Sequence, residues 1–351
     1  MEIIKTRYSR REQIDFEKLG FGEVFSDHML SIEYKNRKWA SPQIIPYGKI
    51  EIFPSMCSLH YGQIVFEGLK AFFTRDATIN IFRPEKYHNR LNHSCRRLCI
   101  PEIDFDLFMD SLKELVLLDK DWIPRMRGYS LYIRPFIFAI DNFLGVKISE
   151  TYRFVIITSP VGAYYKEGIN PVRLITSCEY IRAAKGGLGA AKTPANYAGT
   201  LLPAEVAQKR GFTQILWLDG IERKYIEEVG TMNIFFLIND ELITPPLEGT
   251  ILGGVTRDTV LQLSKEWKIN VAERRISIDE VLWASRQGRL KEVFGTGTAA
   301  VISPVGEIQH NSNLVVVNNM AIGPLSRKLY DEITAIQYGE KTDKFNWCYM
   351  V

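Results

Sequence analysis

Apolar residues recur every three or four positions over 105–119 (FDLFMDSLKELVLLD), the spacing that lines one face of an α-helix. A second helix is expected from Pro84 to about Cys99. Phe82-Arg83-Pro84-Glu85 puts proline in a first helical turn, where its missing N–H costs nothing, and Pro101 lies just past the end. Alternating or wholly apolar stretches read as strands: Gln63–Phe66, Leu69–Phe73, Gly128–Ala139 and Tyr152–Ser159. Glycine, proline and polar residues interrupt the pattern from Val161 to Pro171, and a linker is placed at 166–174. The second half opens with a strand at Val172–Ile175. A glycine-rich segment follows at Gly186–Lys192, then a helix beginning near Pro194. Short apolar runs come next at Gln214–Leu218, Asn233–Ile238 and Leu242–Thr244, with Asp219-Gly220 and Asn239-Asp240 as turn pairs. They read as an antiparallel meander rather than as strands alternating with crossover helices. Further helices are expected at Thr256–Trp267, at Ile278–Gln287, and from Pro324 to about Tyr338. The expected fold class is α/β (α+β), with a smaller domain at 1–165 and a larger one at 175–351. Two domains suit 351 residues at about 150 per domain.

Composition narrows the partners. Hydrophobic residues make up 46% and charged residues 24%, an ordinary balance for a soluble globular chain. The 44 basic and 41 acidic residues leave a formal charge of +3, too even for a nucleic-acid surface. No window approaches 18 apolar residues, so no membrane span is expected. The first twenty residues are too charged for a secretory signal and too acidic for a transit peptide, which points to the cytoplasm. Five cysteines without a CxxC pair fit free thiols in a reducing compartment.

Three constellations carry possible chemistry. Gly186-Gly187-Leu188-Gly189-Ala190-Ala191-Lys192-Thr193 invites a phosphate-loop reading, with Ile215–Asp219 as the partner strand. Ala191 stands where that motif needs glycine, and the hairpin expected around Asp219 does not suit a parallel nucleotide-binding core. The plain alternative is a loop lysine. Glu228-Val229-Gly230-Thr231-Met232-Asn233 places an acid beside a strand start, where it serves either chemistry or as a satisfied structural carboxylate. Leu252-Gly253-Gly254-Val255-Thr256-Arg257 runs into a helix, whose first N–H groups favour an anion. Gly295-Thr296-Gly297-Thr298-Ala299-Ala300 is a second turn of small residues, open to close backbone approach. Together the two turns and a glycine-flanked lysine suggest a phosphate-bearing cofactor. His88, Cys95 and Cys99 share one helical face, but no matching ligands occur elsewhere, so no metal site is expected. Arg90 and Arg97 occupy positions on that helix that are usually solvated. No Ser–His–Asp or Cys–His set is visible, and there is no G-x-S-x-G.

These segments, taken in order, resemble the branched-chain aminotransferases among the fold-type-IV, class IV pyridoxal-phosphate enzymes. The likeness runs from His60-Tyr61 and Phe66-Glu67-Gly68 through Phe82-Arg83-Pro84, Arg90, Tyr132–Pro135 and Pro160–Tyr164. It continues through Arg182-Ala183 to Tyr197, Glu228 to Arg257 and Gly295 to Ala299, and so covers roughly residues 25 to 340. The resemblance implies a C-terminal domain built as an antiparallel-rich pseudobarrel. Lys192 would bind pyridoxal phosphate covalently and act as the base that moves the substrate proton. Glu228 would face the ring nitrogen and Tyr197 the ring hydroxyl. Arg90, Val255, Thr256 and Thr298 would hold the phosphate, with Thr231 and Gly297 also against the cofactor. Cofactor and substrate would sit at the domain interface. Thr298 and Ala299 would take the substrate carboxylate, Tyr61, Tyr132 and Tyr164 would line the side-chain pocket, and Arg134 would meet the second carboxylate of 2-oxoglutarate. The expected reaction passes the amino group of leucine, isoleucine or valine to 2-oxoglutarate, giving glutamate. A homodimer with partner residues closing the site is implied too. Some relatives carry a redox CxxC where this chain has Ala300 and Ser303, so that form of thiol regulation is not expected. Within the fold, a D-amino-acid aminotransferase and an aminodeoxychorismate lyase are the alternatives. Outside it stand a phosphate-loop nucleotide-binding protein and a non-catalytic cofactor carrier.

Overall fold

In the computed structural model, which describes residues 1–162 and 170–351, the two amphipathic helices form almost where the periodicity puts them. The first spans Pro84–Arg97 with proline in its first turn. The second spans Phe105–Leu118, and the Asp104 side chain caps it by accepting from the N–H groups of Asp106 and Leu107. Its apolar face is buried, and Phe108 stacks on Phe154 of the adjacent sheet at 6.1 Å between ring centroids.

The chain divides into two compact units. One comprises Met1–Lys166, Ala191–Pro194 and Ala335–Val351; the other comprises Glu167–Ala190 and Ala195–Thr334. The first unit holds a ten-stranded sheet. Its centre is the pair Ser130–Ala139 and Tyr152–Val161, matched antiparallel from end to end. Leu69–Phe73, Ile79–Phe82 and Cys348–Met350 follow on one side, and His28–Lys35, Gln43–Pro46 and Glu2–Ile3 on the other. Only the outermost pairing, Glu2–Ile3 with Gln43–Pro46, is parallel among these. The division departs from the expected boundaries. The terminal strand Cys348–Met350 pairs with Ile79–Phe82 of the first unit instead of joining the second, and it covers what would otherwise be a bare sheet edge. With residues 191–194 and 335–351 added, the first unit is the larger of the two rather than the smaller.

The second unit holds a nine-stranded sheet: eight strands run in the order Ile226–Val229, Gln214–Leu218, Val172–Thr176, Val301–His310, Leu290–Gly297, Asn233–Ile238, Glu241–Thr244 and Asn270–Glu273, and Asn313–Val316 pairs with Val301–His310 off this path. Most pairings are antiparallel, but the expected simple meander is not what forms. Gln214–Leu218 lies parallel to Val172–Thr176, with the helix Leu201–Lys209 as the crossover. A short apolar run does not record which neighbour it will find. The two turn pairs were legible. Asn239 and Asp240 both take positive φ and close a two-residue hairpin between Ile238 and Glu241. Asp219 ends its strand by accepting four backbone N–H groups, from Ile221, Glu222, Lys224 and Tyr225, at 2.7–3.1 Å. Burial alone would raise this carboxyl, but the four N–H groups hold it below the ordinary carboxylate range. A lowered native pKa means a contribution to stability that is complete above the unfolded value, about 3.9, and is lost as pH falls through the native one. Asp219→Ala is therefore expected to cost about 2 kcal/mol or more at neutral pH. Urea midpoints of the variant and parent should converge as pH falls through the lowered native value.

Strand Ile226–Val229 escapes sequence detection because two of its four residues are glutamates, yet all four are buried. No helix among the described residues is long and apolar enough to cross a membrane.

Candidate active site

Lys192 is fixed through its backbone within the first unit. Its N–H donates to Ser94 Oγ at 2.9 Å, and its carbonyl accepts from the Phe66 N–H at 3.1 Å. Ser94 is fully buried on helix Pro84–Arg97, and its hydroxyl donates to the Arg90 carbonyl one turn earlier. The helix and the strand Ile64–Phe66 thus clamp a four-residue segment, Ala191–Pro194, whose chain neighbours on both sides belong to the second unit. The half-buried Lys192 side chain places its amine 4.8 Å from the Phe66 ring centroid, and the Arg134 guanidinium lies 4.9 Å from the same ring. Thr193, beside the lysine, is fully buried with a hydroxyl that has no hydrogen-bond partner.

Phe66-Glu67-Gly68 has a separate physical reason at each residue. Glu67 is fully buried and receives a two-pronged Arg90 contact, Nε and Nη2 each at 2.7 Å from its carboxylate oxygens. A Cβ at Gly68 would collide with the Tyr132 hydroxyl, so only glycine leaves that tyrosine its place. Tyr132 and Arg134 lie on one face of strand Ser130–Ala139, two residues apart, and Arg134 Nη2 donates to the Tyr132 hydroxyl at 3.0 Å. Arg134 Nε is buried with no hydrogen-bond partner. Directly across the sheet from Tyr132 stands Lys70, which sequence reasoning missed. Burial pushes its ammonium down to about 8. A lysine inside the apolar run Leu69–Phe73 was the available signal. Tyr61, by contrast, is 46% exposed at the end of the short helix Cys57–Tyr61. Tyr164 lies outside the described residues.

In the second unit Glu228 is the centre. It is buried, its Oε2 pairs with Arg182 Nε at 2.9 Å, and its Oε1 accepts the Leu252 N–H at 2.8 Å. Arg182 also donates to the carbonyls of Thr250 at 2.8 Å and Gly189 at 3.3 Å. One buried arginine therefore ties the glycine-rich segment, the loop before Leu252 and the glutamate together. Nothing in the residues around Arg182 marks it for this task. Two residues after Leu252 comes Gly254, which precedes helix Val255–Glu266 with no side chain capping it. A Cβ at Gly254 would strike Asn233 Oδ1, and Asn233 Nδ2 donates to the Leu252 carbonyl at 2.8 Å. Asn233 is paired with Thr296, so the strand leading to Thr298 and Ala299 runs beside this helix start. Thr296 is buried with an unpartnered hydroxyl. Val255 and Thr256 are buried in the first helical turn, Gly297, Thr298 and Ala299 are half-buried, and Thr231 is exposed in the turn that joins Glu228's strand to Asn233. Tyr197, half-buried, sits on the short helix Ala195–Ala198, where Asn196 Nδ2 donates back to the Leu188 carbonyl at 2.8 Å.

These positions bear on two other readings. The phosphate-loop alternative gains one point, since strand Gln214–Leu218 does have a parallel neighbour, but Ala191 still stands against it and the helix that directly follows the lysine has four residues, Ala195–Ala198. His88 Nε2 lies 2.9 Å from the Ile103 carbonyl, and no cluster of metal-ligand side chains occurs among the described residues. All five cysteines are free.

A helix start held open by glycine, a second small-residue turn, a buried acid–arginine pair and a clamped lysine define an enzyme that handles an anionic cofactor. The chain belongs to the class IV aminotransferases, whose family model matches residues 64–308. It is 54% identical over 340 residues to branched-chain-amino-acid aminotransferase 2 of Bacillus subtilis (strain 168), covering 97% of this chain and 94% of that one. It is 50% identical over 349 residues to branched-chain-amino-acid transaminase 1 of the same organism, covering 99% and 98%. Among solved structures, the branched-chain amino acid aminotransferase of Escherichia coli superimposes with a TM-score of 0.75 at 27% identity, covering 90% of this chain and 98% of that one. The T.th. branched-chain amino acid aminotransferase, solved with pyridoxamine 5'-phosphate, matches with a TM-score of 0.74 at 26% identity, covering 91% and 97%. The donor set described above fits such a group: a lysine amine, a buried carboxylate, and an uncapped helix start for the phosphate.

Proposed function

We propose that this chain transfers the amino group of leucine, isoleucine or valine to 2-oxoglutarate, with pyridoxal phosphate as cofactor. The observation that carries the reading is the Phe66 ring flanked by the Lys192 amine and the Arg134 guanidinium, with Arg134 bonded to Tyr132 and Tyr132 paired with Lys70 on the neighbouring strand. That is a base beside a surface that is aromatic and apolar yet cationic at its edge. When bound, the cofactor supplies an aldehyde carbon that takes the amino group and a ring that draws electron density from the substrate Cα.

The chain's own residues do the rest. Lys192 holds the cofactor covalently between turnovers and, once released, takes the proton from the substrate Cα. Glu228, locked by Arg182 and the Leu252 N–H, keeps a negative charge at the ring nitrogen and holds its proton there. Tyr197 donates at the ring hydroxyl. The Val255-Thr256 helix start and Thr298 bind the phosphate, with Thr231 and Gly297 against it. Arg90 adds charge, though Glu67 already neutralises much of it. Thr298 and Ala299 orient the substrate carboxylate. Phe66, Tyr61, Tyr132 and Tyr164 exclude water around a branched side chain, which gains mainly by burial, about 25 cal/mol per Å². Arg134 meets the distal carboxylate of 2-oxoglutarate. The enzyme works in the cytoplasm as a homodimer, a state supported by the exposed apolar run Phe143, Leu144, Val146 and Ile148.

A panel of amino donors with 2-oxoglutarate, scored by glutamate formed, tests the reading. Turnover with leucine, isoleucine and valine supports it, and turnover with D-alanine alone would sink it. Arg134→Met is expected to raise the KM for 2-oxoglutarate roughly tenfold or more, the scale of one lost charged hydrogen bond, while the KM for leucine changes much less. Equal effects on both substrates would remove Arg134 from that role.

A further inference from the structure

Strand Ile226–Val229 carries two adjacent buried glutamates, and alternation sends them to opposite sides. Glu228 has its arginine. Glu227, only 7% exposed, has an Oε2 shielded from water with no hydrogen-bond partner. It lines a separate pocket of about 180 Å³ within the second unit. The pocket's apolar wall includes Ile221, Ile251, Pro245 and Pro246, and its lining also includes Lys185. Of the other charges there, Glu248 is exposed on the pocket lining, and two more are matched. Asp219 is filled by its four backbone donors, and Glu222 pairs with Arg275 at 3.2 Å while that guanidinium stacks 3.5 Å over Tyr225.

We propose that this pocket is a second binding site for a small aliphatic α-amino acid, its ammonium taken by Glu227, its carboxylate by Lys185 and its side chain by the isoleucine–proline wall. A buried carboxylate with one unpartnered oxygen calls for a further donor, and a cationic one compensates most. Burial pushes the Glu227 carboxyl above its ordinary range, with a Thr250 hydrogen bond and the Arg182 charge opposing. An arriving ammonium relieves that cost. A ligand of this class is at hand, because the proposed reaction consumes and releases it. The pocket also adjoins the residues that support Glu228. The Thr250 side chain bonds Glu227 and its carbonyl accepts Arg182, while Leu252 donates to Glu228. Occupancy is thus placed to report the amino-acid pool to Glu228 through three residues.

The choice of leucine as probe rests on the proposed reaction, so turnover of the untreated holoenzyme is measured alongside and the two ideas fail separately. Holoenzyme with its cofactor fixed to Lys192 by borohydride is dialysed to equilibrium against labelled L-leucine. About one leucine per chain is expected, displaced by 3-methylbutylamine and not by 4-methylpentanoate. Glu227→Gln should weaken binding roughly tenfold or more. Ile221→Trp, at a position 81% exposed and so tolerant of change, should fill the mouth and weaken it likewise. No binding to the fixed parent enzyme, or binding that survives both substitutions, overturns the proposal.

Discussion

Lys192→Ala is expected to lower transamination by a factor on the order of 10⁴ or more, with the fold retained. General base catalysis alone is worth roughly 10²–10⁴, and loss of the covalent hold on the cofactor removes more. The fold survives because what clamps this segment is backbone: the N–H to Ser94 and the carbonyl to Phe66 remain when the side chain is cut back. Glu67 keeps its two-pronged Arg90 partner in the variant, so that buried carboxylate is not orphaned. Glutamate formation measures the first half of the prediction and far-UV circular dichroism with a urea midpoint the second. The yellow band of the bound cofactor should be lost or weakly held. Turnover within a hundredfold of the parent would mean another group moves the proton.

Glu228 is expected to behave differently, because the carboxylate that pairs with Arg182 is also the one the proposed reaction uses. Glu228→Gln should destabilise the protein by about 3–5 kcal/mol, since Arg182 becomes a buried charge without its counter-ion. It should also cost on the order of a hundredfold in turnover, because a neutral amide cannot keep the ring nitrogen protonated. The double substitution Arg182→Met with Glu228→Met separates the two effects. It should recover most of the lost stability, as apolar replacement of a buried pair commonly does, while activity stays low. A double variant as unstable as the single one would assign the damage to Arg182's other contacts, with Thr250 and Gly189.

Much of this site was legible in the chain. Proline at the first turn announced helix Pro84–Arg97, and the 3.6-residue period announced Phe105–Leu118, because both signals are local. Gly253-Gly254 announced the start of helix Val255–Glu266 for the same reason. Arg90 shows the limit. On a helical wheel it is a solvated position, yet it pairs directly with buried Glu67, twenty-three residues earlier. Lys70 was passed over because a charged residue in a short apolar run reads as a defect in a strand, and Glu227 because its strand, half glutamate, shows no apolar pattern at all. Arg182 had no local mark at all.

The sequence by itself determined the longer helices, the hairpin at Asn239-Asp240, the glycine pair before helix Val255–Glu266 and the choice of Lys192 as the candidate reactive lysine. Each depends on backbone sterics, periodicity or chemical type within a few residues, or on a likeness spread along the chain. The expected turn at Gly295–Ala300 begins only after Gly297, because strand Leu290–Gly297 runs on through its pairing with Asn233–Ile238. Only the tertiary structure decided that Gln214–Leu218 runs parallel to Val172–Thr176, that the last strand returns to the first unit, and that Arg182 secures Glu228. Those choices rest on pairings between residues far apart in sequence. Their free energy comes from which surfaces and charges meet, and a local pattern carries no record of that.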